Sequence, residues 1–157
     1  MSRLPRSQFS TYTYFHVCAR GNGGQDIFLD DKDRIRYLCL IEKYRMRYGL
    51  ECYAYCLMTN HIHLLWLCPS IQKLSKAMHG LQVAYVVYFN RRHKRHGHLF
   101  ESRFTSWVVK NEAHLLSTKE YVENNSVKAG LINTVEDYLW SSASRDRSIV
   151  TLSSLIT

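Results

Sequence analysis

The sequence predicts an α+β fold, a four-stranded antiparallel sheet carrying helices, and three observations predict it. Apolar periodicity switches between the two-residue spacing of strands and the 3.6-residue spacing of helices in the order strand, helix, strand, strand, helix, strand, followed by an extra helix. Two β-rich runs flank Met58-Thr59-Asn60 closely enough to be a hairpin. The chain has 157 residues, an apolar fraction of 46% and only two prolines, which suits one core and one domain. Residues 1–157 therefore read as a single domain, with a core of about 10–142 and a tail from 143 to 157.

The elements follow in order. Ser10 to Ala19 alternates and is rich in β-formers, and Arg20-Gly-Asn-Gly-Gly24 breaks it as a flexible turn whose amides suit a phosphate but which is no P-loop. Asp30 caps a first helix, with Asp31 and Asp33 in its first turn. Its stripe is Ile35, Tyr37, Leu38, Ile41, Tyr44, Met46 and Tyr48, and it stops at Gly49. Leu50–Cys56 and His61–Leu67 are the second and third strands. Pro69-Ser70 opens a second helix striped by Leu74, Met78, Leu81, Tyr85 and Tyr88, with Gln82 off the stripe and an end near Phe89-Asn90. A fourth strand runs from about Arg103 to Lys110, and Asn111 caps a third helix from Glu112 to about Asn125. Leu115, Leu116 and Val122 form that helix's apolar side, while His114, Thr118, Tyr121 and Asn125, at spacings of four, three and four, line its polar face. The order is the split β-α-β pattern of a ferredoxin-like sheet with helices on one face, plus the added C-terminal helix.

Composition narrows the partner. The formal net charge is +8, and the cations cluster beside aromatic residues, which favours a polyanion such as nucleic acid. The densest cluster, Arg91-Arg92-His93-Lys94-Arg95, lies between Tyr88-Phe89 and Phe100 and has the mixture of cationic and stacking groups that single-stranded nucleic acid prefers. With Arg20 and Arg103 it is the expected grip on a phosphate backbone. The N-terminus lacks the apolar core of a signal peptide and no run of eighteen apolar residues occurs, so a soluble cytoplasmic protein is expected, with no membrane partner. Five cysteines without a Cys-x-x-Cys pair read as reduced thiols.

One strand carries chemistry. In Cys56-Leu-Met-Thr-Asn-His-Ile-His-Leu-Leu-Trp-Leu67 the imidazoles of His61 and His63 point to one side, and two residues of rise separate their Cα atoms by roughly 6.5–7 Å. Two neutral nitrogen ligands need at least a third group to hold a divalent ion, and Asn125 can offer that oxygen. One turn before it stands Tyr121, whose phenol would then reach a bound phosphate as a covalent nucleophile. Each part also has an ordinary reading. Tyr121 suits a packing edge, Asn125 suits a helix C-cap, and Cys52 and Cys56 with the histidines make a zinc set whose spacing matches no standard finger.

Several motifs, in order, resemble the REP-associated tyrosine transposases, within the single-tyrosine HUH (IS200-like) transposases that act on single-stranded DNA. They are His16-Val with Arg20-Gly-Asn22, Tyr55-Cys-Leu-Met-Thr-Asn-His-Ile-His-Leu-Leu65, Tyr88-Phe-Asn-Arg-Arg-His93 with Gly97-His-Leu-Phe and Arg103-Phe104, Tyr121-Val-Glu-Asn-Asn-Ser-Val-Lys-Ala-Gly130, and Trp140-Ser-Ser142. The resemblance spans roughly Tyr14 to Ser142. It implies an HUH endonuclease fold in which His61 and His63 bind Mg²⁺ or Mn²⁺, Asn125 completes the site, and Tyr121, on the C-terminal helix, is the catalytic nucleophile. It further implies cleavage and rejoining of single-stranded DNA near small palindromic hairpins through a 5′-phosphotyrosine link. The DNA contacts expected are Arg20, Asn22, Arg91, Arg92, His93, Lys94, Arg95 and Arg103, in a monomer or a homodimer. Where the family has Asn-Pro, this chain has Asn125-Ser126, which removes a proline stop and lets the helix run on. The competing functions are a non-catalytic hairpin-binding protein and a metal-dependent hydrolytic nuclease.

Overall fold

The computed structural model describes residues 12–146 and Ser148. The chain runs β1 (Thr13–Arg20), α1 (Asp31–Tyr48), β2 (Glu51–Leu57), β3 (His61–Cys68), α2 (Ile71–Arg92), β4 (Thr105–Val109) and α3 (Glu112–Lys128). All four strands join one antiparallel sheet in the order β2-β3-β1-β4, so β3 and β1 are central, as the ferredoxin-like reading expects. The first predicted strand included Ser10 and Thr11, which lie outside the described residues, as do 147 and 149–157 of the tail.

Alternation along the strands sorts the core into two sides. Phe15, Val17 and Ala19 of β1, with Ile62, Leu64 and Trp66 of β3, face α1 and α2. Leu65 of β3, Cys56 of β2 and Val109 of β4 face the other way, where Val122 of α3 closes over them. The first two helices thus share one face as expected, and α3 covers the opposite one. Ile62, Leu64, Leu65 and Trp66 are all fully buried because β3 is covered on both sides, which makes it the rigid centre of the molecule.

The capping residues act as the sequence predicts. Asp30 Oδ1 accepts from the Asp33 amide, Ser70 Oγ from Lys73 and Asn111 Oδ1 from His114, and Gly49 closes α1 at φ 69°. Four expectations are corrected. Met46 is 65% exposed, because it lies five residues beyond Ile41, well off the buried row of α1. Leu116 is 57% exposed and Thr118, expected on the polar face, is buried, because the inward row of α3 is Leu115, Thr118, Val122 and Ser126. Gln82, placed off the α2 stripe, is buried beside Leu81. The α2 helix also extends through Arg91 and Arg92, and α3 continues past Asn125-Ser126 to Lys128, as the missing proline allows.

Two ties position the site. Asp33, completely buried, accepts from the Leu29 amide and from Arg92, and pairs with His93, fastening the start of α1 to the end of α2. After α3 the chain returns along the free edge of β2. The Leu57 amide donates to Trp140 O at 2.8 Å and the Ser142 amide to Tyr55 O at 3.0 Å. Among the described residues, no helix is long and apolar enough to cross a membrane.

Candidate active site

The site forms where β3 and β1 pass beneath α3. His61 and His63 project toward α3, since Ile62 between them faces the other helices. Their ring centroids lie 5.1 Å apart with planes at 86°. Tyr121 stands over His63 from α3, edge-on at 5.7 Å, and is 43% exposed. The structure therefore brings together three of the four predicted residues of the centre. The fourth, Asn125, lies one turn further along, and its amide nitrogen donates to Tyr121 O at 2.6 Å, so the side chain is folded against its own helix.

Sequence reasoning missed the part played by His16. Its Nε2 lies 2.9 Å from His63 Nδ1 and its ring stacks on His63 at 5.2 Å. It also meets Tyr121 at 5.6 Å and Trp107 at 5.1 Å. The available signal was β-alternation, which puts Tyr14, His16, Cys18 and Arg20 on the histidine side of β1. Trp107, half exposed on β4, forms the outer rim of the site. Lys128, made helical by the extension of α3, holds its ammonium 4.5 Å from the Tyr121 ring centre.

Burial sets the electrostatics. Desolvation, reinforced by His16, His61 and Arg20, lowers the His63 pKa to about 3. Desolvation and the nearby His114 lower His16 to about 4, and His61 is shifted down by burial and then by Arg20. At neutral pH all three rings are uncharged, the form in which imidazole ligates a metal. The donor set fits an ion. The Nδ1 of His63 is engaged by His16 and the Nδ1 of His61 by Asn60 Oδ1 at 2.8 Å, whereas no hydrogen bond occupies either Nε2 among the described residues.

The zinc reading is overturned. A β-bulge between Cys52 and Ala54 puts Cys52 on the α1/α2 side and Cys56 on the α3 side. Burial raises both thiols to about 12. Among the described residues no three His, Cys, Asp or Glu side chains converge as a metal cage.

Residues 10–125 match the family model described as Transposase IS200 like. The chain belongs to the IS200-like transposase family. This transposase is 25% identical to a putative REP-associated tyrosine transposase of Haemophilus influenzae, across 76% of the chain and 78% of that relative. It also resembles the solved structure of a REP-associated tyrosine transposase bound to a REP hairpin, with a TM-score of 0.61 and 19% identity over 90% of this chain and 82% of the other. A putative transposase from Deinococcus radiodurans is similar at a TM-score of 0.48 and 18% identity, over 79% of this chain and 97% of its own.

In this IS200-like transposase the basic residues do not act as one solvated run. Arg20 is exposed and lies directly across the ladder from His61, and Asn22 is exposed in the adjoining turn. Arg91, Lys94 and Arg103 are also exposed. Arg92, in contrast, forms a fork to Asp30 and Asp33, and His93 pairs with Asp33. Arg95 donates to Gln25 Oε1 and Asn90 Oδ1 and lies over Phe89. Three of the eight expected contacts, Arg92, His93 and Arg95, are thus committed to partners within the protein.

Proposed function

We propose that this chain is a divalent-metal-dependent transposase that cleaves and rejoins single-stranded DNA near small palindromic hairpins, with Tyr121 as nucleophile. The observation that carries the reading is the Tyr121 phenol ring poised edge-on over His63, above a strand that carries two neutral imidazoles with ring centroids 5.1 Å apart. Membership of the transposase family and the relative solved with a REP hairpin support DNA as the substrate, and the net charge of +8 suits it.

His61 and His63 would hold Mg²⁺ or Mn²⁺ through Nε2, with Asn125 supplying an oxygen once its side chain turns from its helix. A bound ion would polarise the phosphoryl oxygens and orient the scissile bond. Arg20, across from His61, neutralises the adjoining phosphate. The Tyr121 oxygen attacks phosphorus and loses its proton to solvent. The P–O3′ bond breaks, and the departing oxygen takes up a proton to become a 3′-hydroxyl. The downstream strand remains as a 5′-phosphotyrosine ester. Attack by a 3′-hydroxyl on that ester reverses each step and rejoins DNA, with no net loss of phosphoester bonds. Lys128, its ammonium over the ring, helps to hold the Tyr121 phenol in place.

The test uses one hairpin-flanked strand labelled at either end. With Mn²⁺, the 3′-labelled strand is expected to move with the protein on a denaturing gel and the 5′-labelled strand to yield a free fragment, both blocked by chelator. Cleavage without a protein-linked product would indicate the hydrolytic nuclease, and binding without cleavage the non-catalytic hairpin binder.

A further inference from the structure

Whether an imidazole is a metal ligand or a hydrogen-bond donor at a given nitrogen depends on where its proton sits, and so on the partner each Nδ1 of His61 and His63 meets. Asn60 Nδ2 donates to Gly24 O at 3.4 Å, which turns Asn60 Oδ1 toward His61 Nδ1, 2.8 Å away. An amide oxygen only accepts, so His61 carries its proton on Nδ1 and presents the lone pair of Nε2. His63 Nδ1 faces His16 Nε2 at 2.9 Å, with the two ring planes inclined by 25°. One of the two nitrogens donates. If His16 donated, His63 would hold a proton on Nε2 and be closed to an ion. If His63 donates, both strand histidines expose Nε2 together.

We infer that His16 and Asn60 are positioning residues that fix His61 and His63 in the Nδ1–H form, so that two Nε2 lone pairs converge from one strand. The inference deepens the proposed metal-dependent function and rests on it for the direction of the His16–His63 bond. It gives the Arg20-Gly-Asn-Gly-Gly24 turn a purpose as well, because Gly24 O orients the Asn60 amide. Neutral imidazole in water favours the Nε2–H form, so this arrangement must be held by partners such as these. Such supporting groups alter metal affinity by roughly 10–100-fold when removed.

Two-bond ¹H–¹⁵N correlation spectra of the metal-free protein at pH 7.5 read the tautomer of each ring directly. The expected result is Nδ1–H on both His61 and His63. His16→Ala should return His63 toward Nε2–H and weaken Mn²⁺ binding about 10-fold by electron paramagnetic titration, while His61 keeps its tautomer. Asn60→Ala should do the same to His61, and Asn60→Asp, which retains an acceptor oxygen, should restore both tautomer and affinity. Amide spectra of each variant verify the fold. An Nε2–H signal from His63 in the unsubstituted protein, or unchanged tautomers in His16→Ala and Asn60→Ala, would overturn the inference. The proposed metal dependence is read separately, from whether Mg²⁺ moves the two Nε2 shifts in the unsubstituted protein.

Discussion

Glu123 Oε1 accepts a hydrogen bond from Ser142 Oγ at 2.7 Å. Glu123 lies two residues beyond Tyr121 on α3, and Ser142 is bonded through its backbone to Tyr55 on the edge of β2. Lys119 holds the other side of the same carboxylate at 3.0 Å. The returning tail therefore fastens the helix that carries the phenol to the sheet that carries the histidines.

Removing that fastening should loosen α3 without disturbing the sheet. Ser142→Ala deletes the bond to Glu123 together with the one the same hydroxyl accepts from the Tyr55 amide, and is expected to cost about 1–3 kcal/mol of stability. Strand transfer should fall by more than binding does, because only the placement of Tyr121 changes. Denaturant titration and a single-turnover assay measure the two effects, and equal losses in both would contradict the role.

Gly80, midway along α2, sits against the Tyr44 ring of α1. A Cβ built there would overlap Tyr44 Cε1. In an exposed helix Gly→Ala would add about 1 kcal/mol. Here the sign should reverse, with Gly80→Ala losing roughly 1–3 kcal/mol through forced separation of the helices. A higher melting temperature for the variant would refute the close crossing.

Acid should destabilise the metal-free protein in a defined window. His16 and His63 have folded pKa values lowered to about 4 and about 3, while the unfolded rings titrate near 6.5. Between those values the unfolded chain binds more protons, so stability falls as pH drops below about 6.5. Each ring contributes at most about 1.4 kcal/mol per pH unit. Above that range both states are neutral and the profile should be flat. Denaturation in chelator from pH 4.5 to 8 measures the slope, and His16→Gln should reduce it.

The basic cluster should divide into two kinds of residue. Arg91→Ala with Lys94→Ala removes two exposed cations and should lower the salt slope of single-strand binding by roughly 1.4 while leaving the melting temperature unchanged. Arg92→Ala strips the fork from Asp30, whose pKa it holds down near 2, and from buried Asp33, so it should reduce the melting temperature. Fluorescence-anisotropy titrations at several salt concentrations and thermal scans separate the two, and a uniform effect across all three positions would contradict the division.

Much of this was legible in the sequence because it depends on local periodicity. Alternation placed His61 and His63 on one side, helical spacing aligned Tyr121 with Asn125, and the caps at Asp30 and Asn111 need only neighbouring residues. What escaped requires knowing which strands are neighbours. His16 is 47 residues from His63, and only the β1–β3 register brings them together. Asp33 looked like an ordinary first-turn acid until Arg92, 59 residues away, closed over it. The zinc alternative failed at the bulge beside Tyr53, which inverts the facing of Cys52 and leaves no periodic mark. Nor does a stripe of apolar residues announce its centre, which is why Leu116 and Met46 were assigned inward.

The central claim is that the phenol oxygen of Tyr121 becomes joined to DNA. The direct measurement compares the unsubstituted protein with Tyr121→Phe on a 3′-labelled single strand bearing a hairpin, in Mn²⁺, resolved on a denaturing gel. The account predicts a heat- and detergent-resistant adduct in the first and none in the second, with binding of the strand retained in both. An adduct that persists in Tyr121→Phe, or cleavage by the unsubstituted protein with no adduct at all, would contradict it.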